Sequence, residues 1–296
     1  MKIVRKHLFL LCFISLLFSL TFFSVSIPYW NLKVTDGIGV TTEGFWGLYT
    51  NPAILLGEDK WQANVFSAGW ADSEERSYRI FGANVVSPFE YGFSGALDIL
   101  YGNLADISGE NSYASFGYTI AGKLDKLGWG ARVIAGRFNN VEGDSFYGSA
   151  NFGLSYSIVD EVKLLVSANA PQIVTTNPDI FKTNQPESFW AGFGVIASNE
   201  NARAYLSSYS YFEDNQNFFA VSFGGGFKVF VLDWDFALTA KEMHNGIKSV
   251  NDFSVDAHIS GSVDFENFSV GMGTTIPVTS GLITDSQIQV FVSAKW

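Results

Sequence analysis

The chain has 296 residues, with 29 acidic against 18 basic side chains and a formal net charge of −11. That balance excludes binding to nucleic acid or anionic lipid through bulk electrostatics. Charged residues are 16% of the chain, well under the usual quarter, while aromatics also reach 16% and glycine outnumbers proline 29 to 7, a composition that suits strands facing lipid.

Met1 to Lys6 is a basic stretch, Leu8 to Phe23 is a nearly unbroken apolar run, and Ser24-Val25-Ser26 puts small residues at positions −3 and −1 of a cleavage site. The pattern predicts a secretory signal peptide over residues 1–26. The run falls short of the roughly 20 residues that a spanning helix needs. Cys12, the one cysteine, lies inside it, so the mature chain is expected to have no disulfide and no thiol chemistry.

Residues 27–59 do not alternate. Thr41 and Thr42 are placed to cap a short helix from Glu43 onward. Asn51-Pro52 marks a turn or break, and Ala53 to Leu56 reads as one further apolar turn.

From Lys60 onward the period is two. Strands are predicted at 60–72, 75–87, 89–102, 110–124, 127–140, 145–158, 162–174, 187–199, 201–213, 216–230, 232–243, 252–266, 268–279 and 287–296. Each is near the 9–11 residues that cross a bilayer at a tilt. In 252–266, Phe253, Val255, Ala257, Ile259, Gly261, Val263 and Phe265 share one face. Ser254, Asp256, His258, Ser260, Ser262 and Asp264 share the other. Runs 146–158 and 232–241 alternate as cleanly, whereas 75–87 and 201–213 leave the phase open. The polar faces are mostly Gly, Ser, Thr, Ala and Asn. A soluble sandwich would load such a face with charge, whereas a partly wet lumen would not.

Tight turns at 87–88, 125–126, 160–161, 199–201, near 231 and at 266–267 alternate with connections that are mostly longer, as in bacterial barrels. Phe89, Tyr91, Trp129, Phe230, Trp234, Phe265, Phe268 and Trp296 gather beside the tight turns, as an interfacial girdle does. The fold class is therefore all-β: a transmembrane, antiparallel, up-and-down barrel of about fourteen strands over residues 60–296. Residues 27–59 become its hatch or plug, because an apolar segment ahead of a barrel has to be buried and the lumen is the available place. Phe45, Trp46, Leu48, Tyr49, Asn51, Pro52, Ala53, Ile54 and Leu55 are its expected plug or ligand contacts.

Ions of both signs fall on the inner faces. Asp98, Arg132, Asp235, Asp256 and His258 are candidate lumen-lining residues, and no ring of a single sign appears that would select ions strongly. Asp256, His258 and Ser260 share a face, yet neighbours two apart on a strand are about 7 Å from one another, too far for a catalytic relay. His244, read as a loop residue beside Glu242, has no metal-ligand spacing. Gly224-Gly225-Gly226 lies within a strand and is no phosphate loop. It marks a bend or a close approach, such as the place where the hatch meets the wall. No catalytic residue, metal or cofactor is expected.

The last run, Gln287 to Trp296, resembles the closing strand of bacterial outer-membrane barrels, whose terminal aromatic is part of the signal read by the barrel-assembly machinery. Asn51-Pro52-Ala53 in an apolar N-terminal segment, about fourteen strands and a terminal aromatic together resemble the FadL-like superfamily. That group comprises long-chain fatty-acid transporters, aromatic-hydrocarbon channels and PorV-type proteins of secretion systems. The resemblance implies an outer-membrane location with both termini periplasmic. It implies a lumen hatch built on the Asn-Pro-Ala motif, and passive passage of small hydrophobic or amphipathic molecules. The alternative within the group is a non-transporting, partner-binding barrel of an envelope or secretion complex. A soluble secreted β-sandwich is a third reading.

Overall fold

A computed structural model describes residues 41, 46–57, 59–72, 77–106, 109–140, 143–175, 189–213, 216–245, 250–279 and 285–296. The predicted leader, Phe45 and the expected cap at Thr42 lie outside the described residues. A short helix, α1 (Gly47–Thr50), is followed by a 3-10 turn over Pro52–Gly57. Fourteen strands follow: β1 (Gln62–Asp72), β2 (Ser77–Val86), β3 (Phe93–Asp106), β4 (Gly109–Leu124), β5 (Leu127–Asn140), β6 (Gly143–Val159), β7 (Val162–Thr175), β8 (Phe189–Ser198), β9 (Ala202–Glu213), β10 (Gln216–Val229), β11 (Leu232–Asn245), β12 (Val250–Asp264), β13 (Phe268–Pro277) and β14 (Asp285–Lys295). Each pairs antiparallel with its neighbours in sequence, and β14 pairs with β1, so the sheet closes into an up-and-down barrel.

The alternation decides which way each strand faces. In β14, Ile288, Val290 and Val292 are exposed on the outer wall, while Gln287, Gln289 and Ser293 are buried inside. In β12, Phe253 and Ile259 face out and Ser254, Asp256 and His258 face in. The two runs of open phase resolve the same way. Phe81 and Val85 of β2 face out against Ile80, Asn84 and Val86. Leu206 of β9 faces out against Tyr205, Ser207 and Tyr209. The outer wall is thus a band of exposed Leu, Ile, Val, Phe, Tyr and Trp, inverted relative to a water-soluble protein and matched to lipid.

Two local expectations change. The connection between β2 and β3 is longer than the predicted turn at Ser87-Pro88: it runs to Gly92, and β3 starts at Phe93, not residue 89. Pro88 cannot donate to a ladder, and Tyr91 and Gly92 adopt left-handed backbone (φ 53° and 88°), which ends pairing there. His244 is a strand residue of β11, in register with Asn217 and Asn251, because the ladder continues through Asn245. Helix α1 has no side-chain cap at Trp46, and the predicted helix start at Glu43 lies outside the described residues.

Because Val290 stands at the middle of an outward-facing strand, Val290→Arg is expected to destabilise the barrel by about 2–4 kcal/mol in lipid. Chemical denaturation of the wild type and variant in the same vesicles would measure it, and equal stability would contradict the outward assignment.

Candidate functional site

The interior is organised around the segment 46–57, which crosses the lumen. Its helix is only four residues long, too short to persist alone. Packing holds it: Leu48, Tyr49 and Leu55 are fully or almost fully buried in a cluster with Phe66, Ile80, Leu100, Tyr113, Ile134 and Tyr147. Trp46 lies 4.6 Å from the Phe66 ring and 6.2 Å from Phe291, and Tyr49 meets Phe66 edge-on at 5.7 Å. At the other end of the segment, Ile54 packs against Leu165, Ile196, Tyr205 and Ala237.

Asn51-Pro52-Ala53 forms the link between helix and turn. The Asn51 N–H donates to the Gly47 carbonyl at 2.7 Å, closing the helix, and the Asn51 side chain accepts from the Ala53 N–H at 3.2 Å. An Asx side chain bonding two residues ahead, followed by a proline that fixes φ, is a self-contained stop signal. The motif then seats on two register-paired glycines of the wall, Gly130 of β5 and Gly153 of β6. A Cβ at Gly130 would lie 2.6 Å from the Ala53 nitrogen and the Pro52 oxygen, and one at Gly153 would run into the Asn51 amide. Only glycine permits so close an approach of two backbones.

Hydrogen bonds complete the seat. Asn151 donates to the Tyr49 carbonyl at 3.3 Å, the Asn51 amide donates to the Leu154 carbonyl at 3.5 Å, and the Ser167 hydroxyl donates to the Thr50 carbonyl. Beneath the helix, Arg132 binds Asp98 through two bonds, Nε to Oδ2 at 3.0 Å and Nη2 to Oδ1 at 2.6 Å, with both side chains wholly buried. The same guanidinium lies 4.8 Å from the Tyr49 ring centre, a cation–π contact. Burial first, and then the nearby Asp98 carboxylate, push the Tyr49 phenol above its ordinary range, so it stays neutral.

Other predicted lumen ions are tied elsewhere. Asp256 pairs with Lys241 at 2.5 Å, buried on the wall opposite Arg132. His258 bonds the Thr275 hydroxyl at 3.1 Å. Asp235 joins Asp233 and Arg203 near the tight-turn end, with contacts of 2.8 and 3.0 Å. Asp256 is thus held by β11 and His258 by β13. The glycine triplet marks a close approach as expected, but not of the hatch: a Cβ at Gly224 would meet the Phe236 oxygen and one at Gly226 the Trp234 oxygen of β11, with the Tyr205 and Arg203 side chains of β9 lying across them, and the segment meets the wall at Gly130 and Gly153 instead. Those two glycines, with Asn151 and Ser167, were not singled out in the sequence. The signal was faint: glycines on an inward face whose partner lies about a hundred residues away.

Two outcomes are expected here. Asp98→Asn leaves the Arg132 charge buried without its partner and should cost about 3–5 kcal/mol by denaturation. Asp98→Asn with Arg132→Met should recover most of it. Gly130→Val should unseat the segment. A cysteine at Ala53, which is 1% exposed, should resist maleimide in the native wall and react in the Gly130→Val background.

No family model and no curated protein matches the sequence. Solved structures do match. The CymD monoaromatic hydrocarbon channel superposes with a TM-score of 0.67 at 10% identity, over 89% of this chain and 97% of that one. The Pseudomonas putida toluene transporter TodX gives 0.62 at 11% identity, over 92% and 99%. A FadL homologue from Pseudomonas aeruginosa gives 0.59 at 10% identity, over 92% and 98%. Fourteen antiparallel strands closed around a seated N-terminal segment give this chain the fold of the FadL-like barrels.

Proposed function

We propose that the protein is a passive outer-membrane channel for small hydrophobic or amphipathic molecules, with segment 27–59 as its plug and both termini in the periplasm. The observation that carries the reading is the seat of residues 46–57 inside the closed wall. They are held by side-chain and backbone contacts on glycine-cleared ground, not by strand pairing. An element held that way can be displaced without opening the barrel. Trp46, Leu48, Tyr49, Ile54 and Leu55, with Phe66 and Phe291, supply an apolar and aromatic surface that a hydrophobic solute would meet. The fold shared with channels for monoaromatic hydrocarbons and toluene supports the same class of cargo. No enzymatic role is proposed. Assembly would run through the barrel-assembly machinery, with Trp296 part of the signal, and the partners would be lipid and solute.

Purified protein in liposomes should pass small hydrophobic or amphipathic solutes, and deletion of residues 27–57 should raise the leak several-fold. Unchanged permeability after that deletion would sink the plug assignment. Absence of any flux, together with co-purification in a large envelope complex, would favour a structural, partner-binding barrel.

A further inference from the structure

The lipid-facing wall is uniform, but its tight-turn rim is not. Among the described residues, three that are not glycine take a positive φ: Tyr91 at 53°, Asp125 at 58° and Phe230 at 56°, all in connections at the tight-turn end. Aspartate is at home in that conformation, whereas a bulky aromatic is an outlier. Packing does not account for the two aromatics either, since Tyr91 is 98% and Phe230 is 94% exposed. The hairpins of Asp125 and Phe230 form a matched pair. Leu124 pairs with Leu127 and Val229 with Leu232, so each has a two-residue tip, and a tryptophan follows three residues on, Trp129 and Trp234. One tip is Asp125-Lys126 and the other Phe230-Val231. The difference runs round the rim. From β4 to β9 the tips are Asp125-Lys126, Asp160-Glu161 and Asn199-Glu200-Asn201, all exposed. From β10 round to β3 the rim carries Phe230-Val231, the half-exposed stacked pair Phe265 and Phe268 with ring centres 4.4 Å apart, the terminal Trp296, and Tyr91.

We propose that this arc of the rim, from β10 through β14 and β1 to β3, is a membrane-inserting anchor. Phe230, Val231 and Tyr91 enter the headgroup layer of the adjoining leaflet, while the tips from β4 to β9 stand in water. Continuity chooses lipid as the occupant. Phe230 and Val231 extend an outward strip that already faces the bilayer, formed by Phe223, Phe227 and Val229 on β10 and Leu232, Trp234 and Phe236 on β11. The Val231 carbonyl accepts from the Asp264 N–H at 2.6 Å, which ties the tip to the Phe265–Phe268 hairpin beside it. Aromatic rings with one wet side settle at the headgroup level. Glu90, Glu266 and Asn267 are exposed on the same arc and suit a layer that is polar as well as apolar, whereas the centre of a protein interface is depleted of charge. With a net charge of −11, the chain gains its hold from ring insertion and not from attraction to anionic headgroups. The inference stands apart from the channel reading, because it concerns the rim and not the lumen.

The test uses the full mature chain, residues 27–296, which holds no cysteine of its own. Val231→Cys and Lys126→Cys each carry an environment-sensitive nitrobenzoxadiazole label. Each is reconstituted in phosphatidylcholine vesicles with and without lipids that bear a nitroxide near the headgroup. The nitroxide should quench the label at 231 several-fold more than the label at 126. Adding Phe230→Asn to Val231→Cys should bring that quenching down to the level at 126, because asparagine accepts the left-handed backbone and keeps the turn while the ring is gone. Equal quenching at 231 and 126 overturns the proposal and points instead to a protein as the occupant of the arc. Unchanged quenching in a Phe230→Asn variant that keeps heat-modifiable migration overturns it as well. Should that variant not fold, the comparison of 231 with 126 decides alone. Solute flux through the same vesicles is read separately. Flux with equal quenching removes the anchor and keeps the channel, and selective quenching without flux keeps the anchor and removes the channel.

Discussion

Everything in this molecule depends on the pairing of β14 with β1. Lipid offers no partner to backbone N–H and C=O groups, so a sheet that stands in it must have no edge. Eleven register pairs, from Gln62 with Lys295 to Asp72 with Asp285, remove that edge. The same pairing decides every side-chain direction, because a slip of one residue would exchange the faces. With the register as it stands, Val290 and Val292 reach the outer wall and Gln289 and Ser293 the lumen. Asn64 of β1 and Asn84 of β2 then meet at 2.6 Å inside. Closure thus makes the exterior uniform and leaves all chemical variety to the interior.

An enclosed polar lumen brings its own constraint, which is that charge inside it has to be compensated. The structure meets this with pairs: Arg132 with Asp98 on one wall, Lys241 with Asp256 on the other. Such pairs add little net stability, since desolvation offsets most of the attraction, but each member requires its partner. Arg132 is placed to do more than balance Asp98. Its guanidinium supports the Tyr49 ring, and Tyr49 anchors the helix, so one ion pair on β3 and β5 fixes the height at which the segment sits.

The strands were legible because each step along them is a chemical choice between lipid and lumen. Phe253 to Phe265 against Ser254 to Asp264 can be read with no knowledge of the partner strands. Where small residues blur that choice, as around Arg79 to Ala83 and Ala202 to Ala204, the phase could not be read, and the neighbouring strands supply it. Glycines were the hardest. A glycine in a strand records that something comes close but not what. Gly224-Gly225-Gly226 drew attention by being consecutive, yet what comes close to it is the backbone of β9 and β11 and the side chains of Tyr205 and Arg203, not the segment. Gly130 and Gly153 looked ordinary, and only the barrel register sets them side by side beneath Asn51-Pro52-Ala53. Asn151 and Ser167 were hidden for the same reason, since their partners are carbonyls of the segment, which carry no side-chain signature.

The contacts of the segment are unequal, and the inequality has an energetic direction. Toward β5, β6 and β7 it is held by hydrogen bonds from Asn151 and Ser167, by the bond from Asn51 to Leu154, and by the backbone seat on two glycines. Toward β7–β11 it rests on Ile54, against Leu165, Ile196, Tyr205 and Ala237. Withdrawing one aliphatic side chain from such a contact costs about 1.5–3 kcal/mol. Breaking the hydrogen-bonded side would leave several buried donors and acceptors unmatched, at about 1–3 kcal/mol for each group. The wall that carries Arg132 therefore holds the segment more strongly than the contact at Ile54 does.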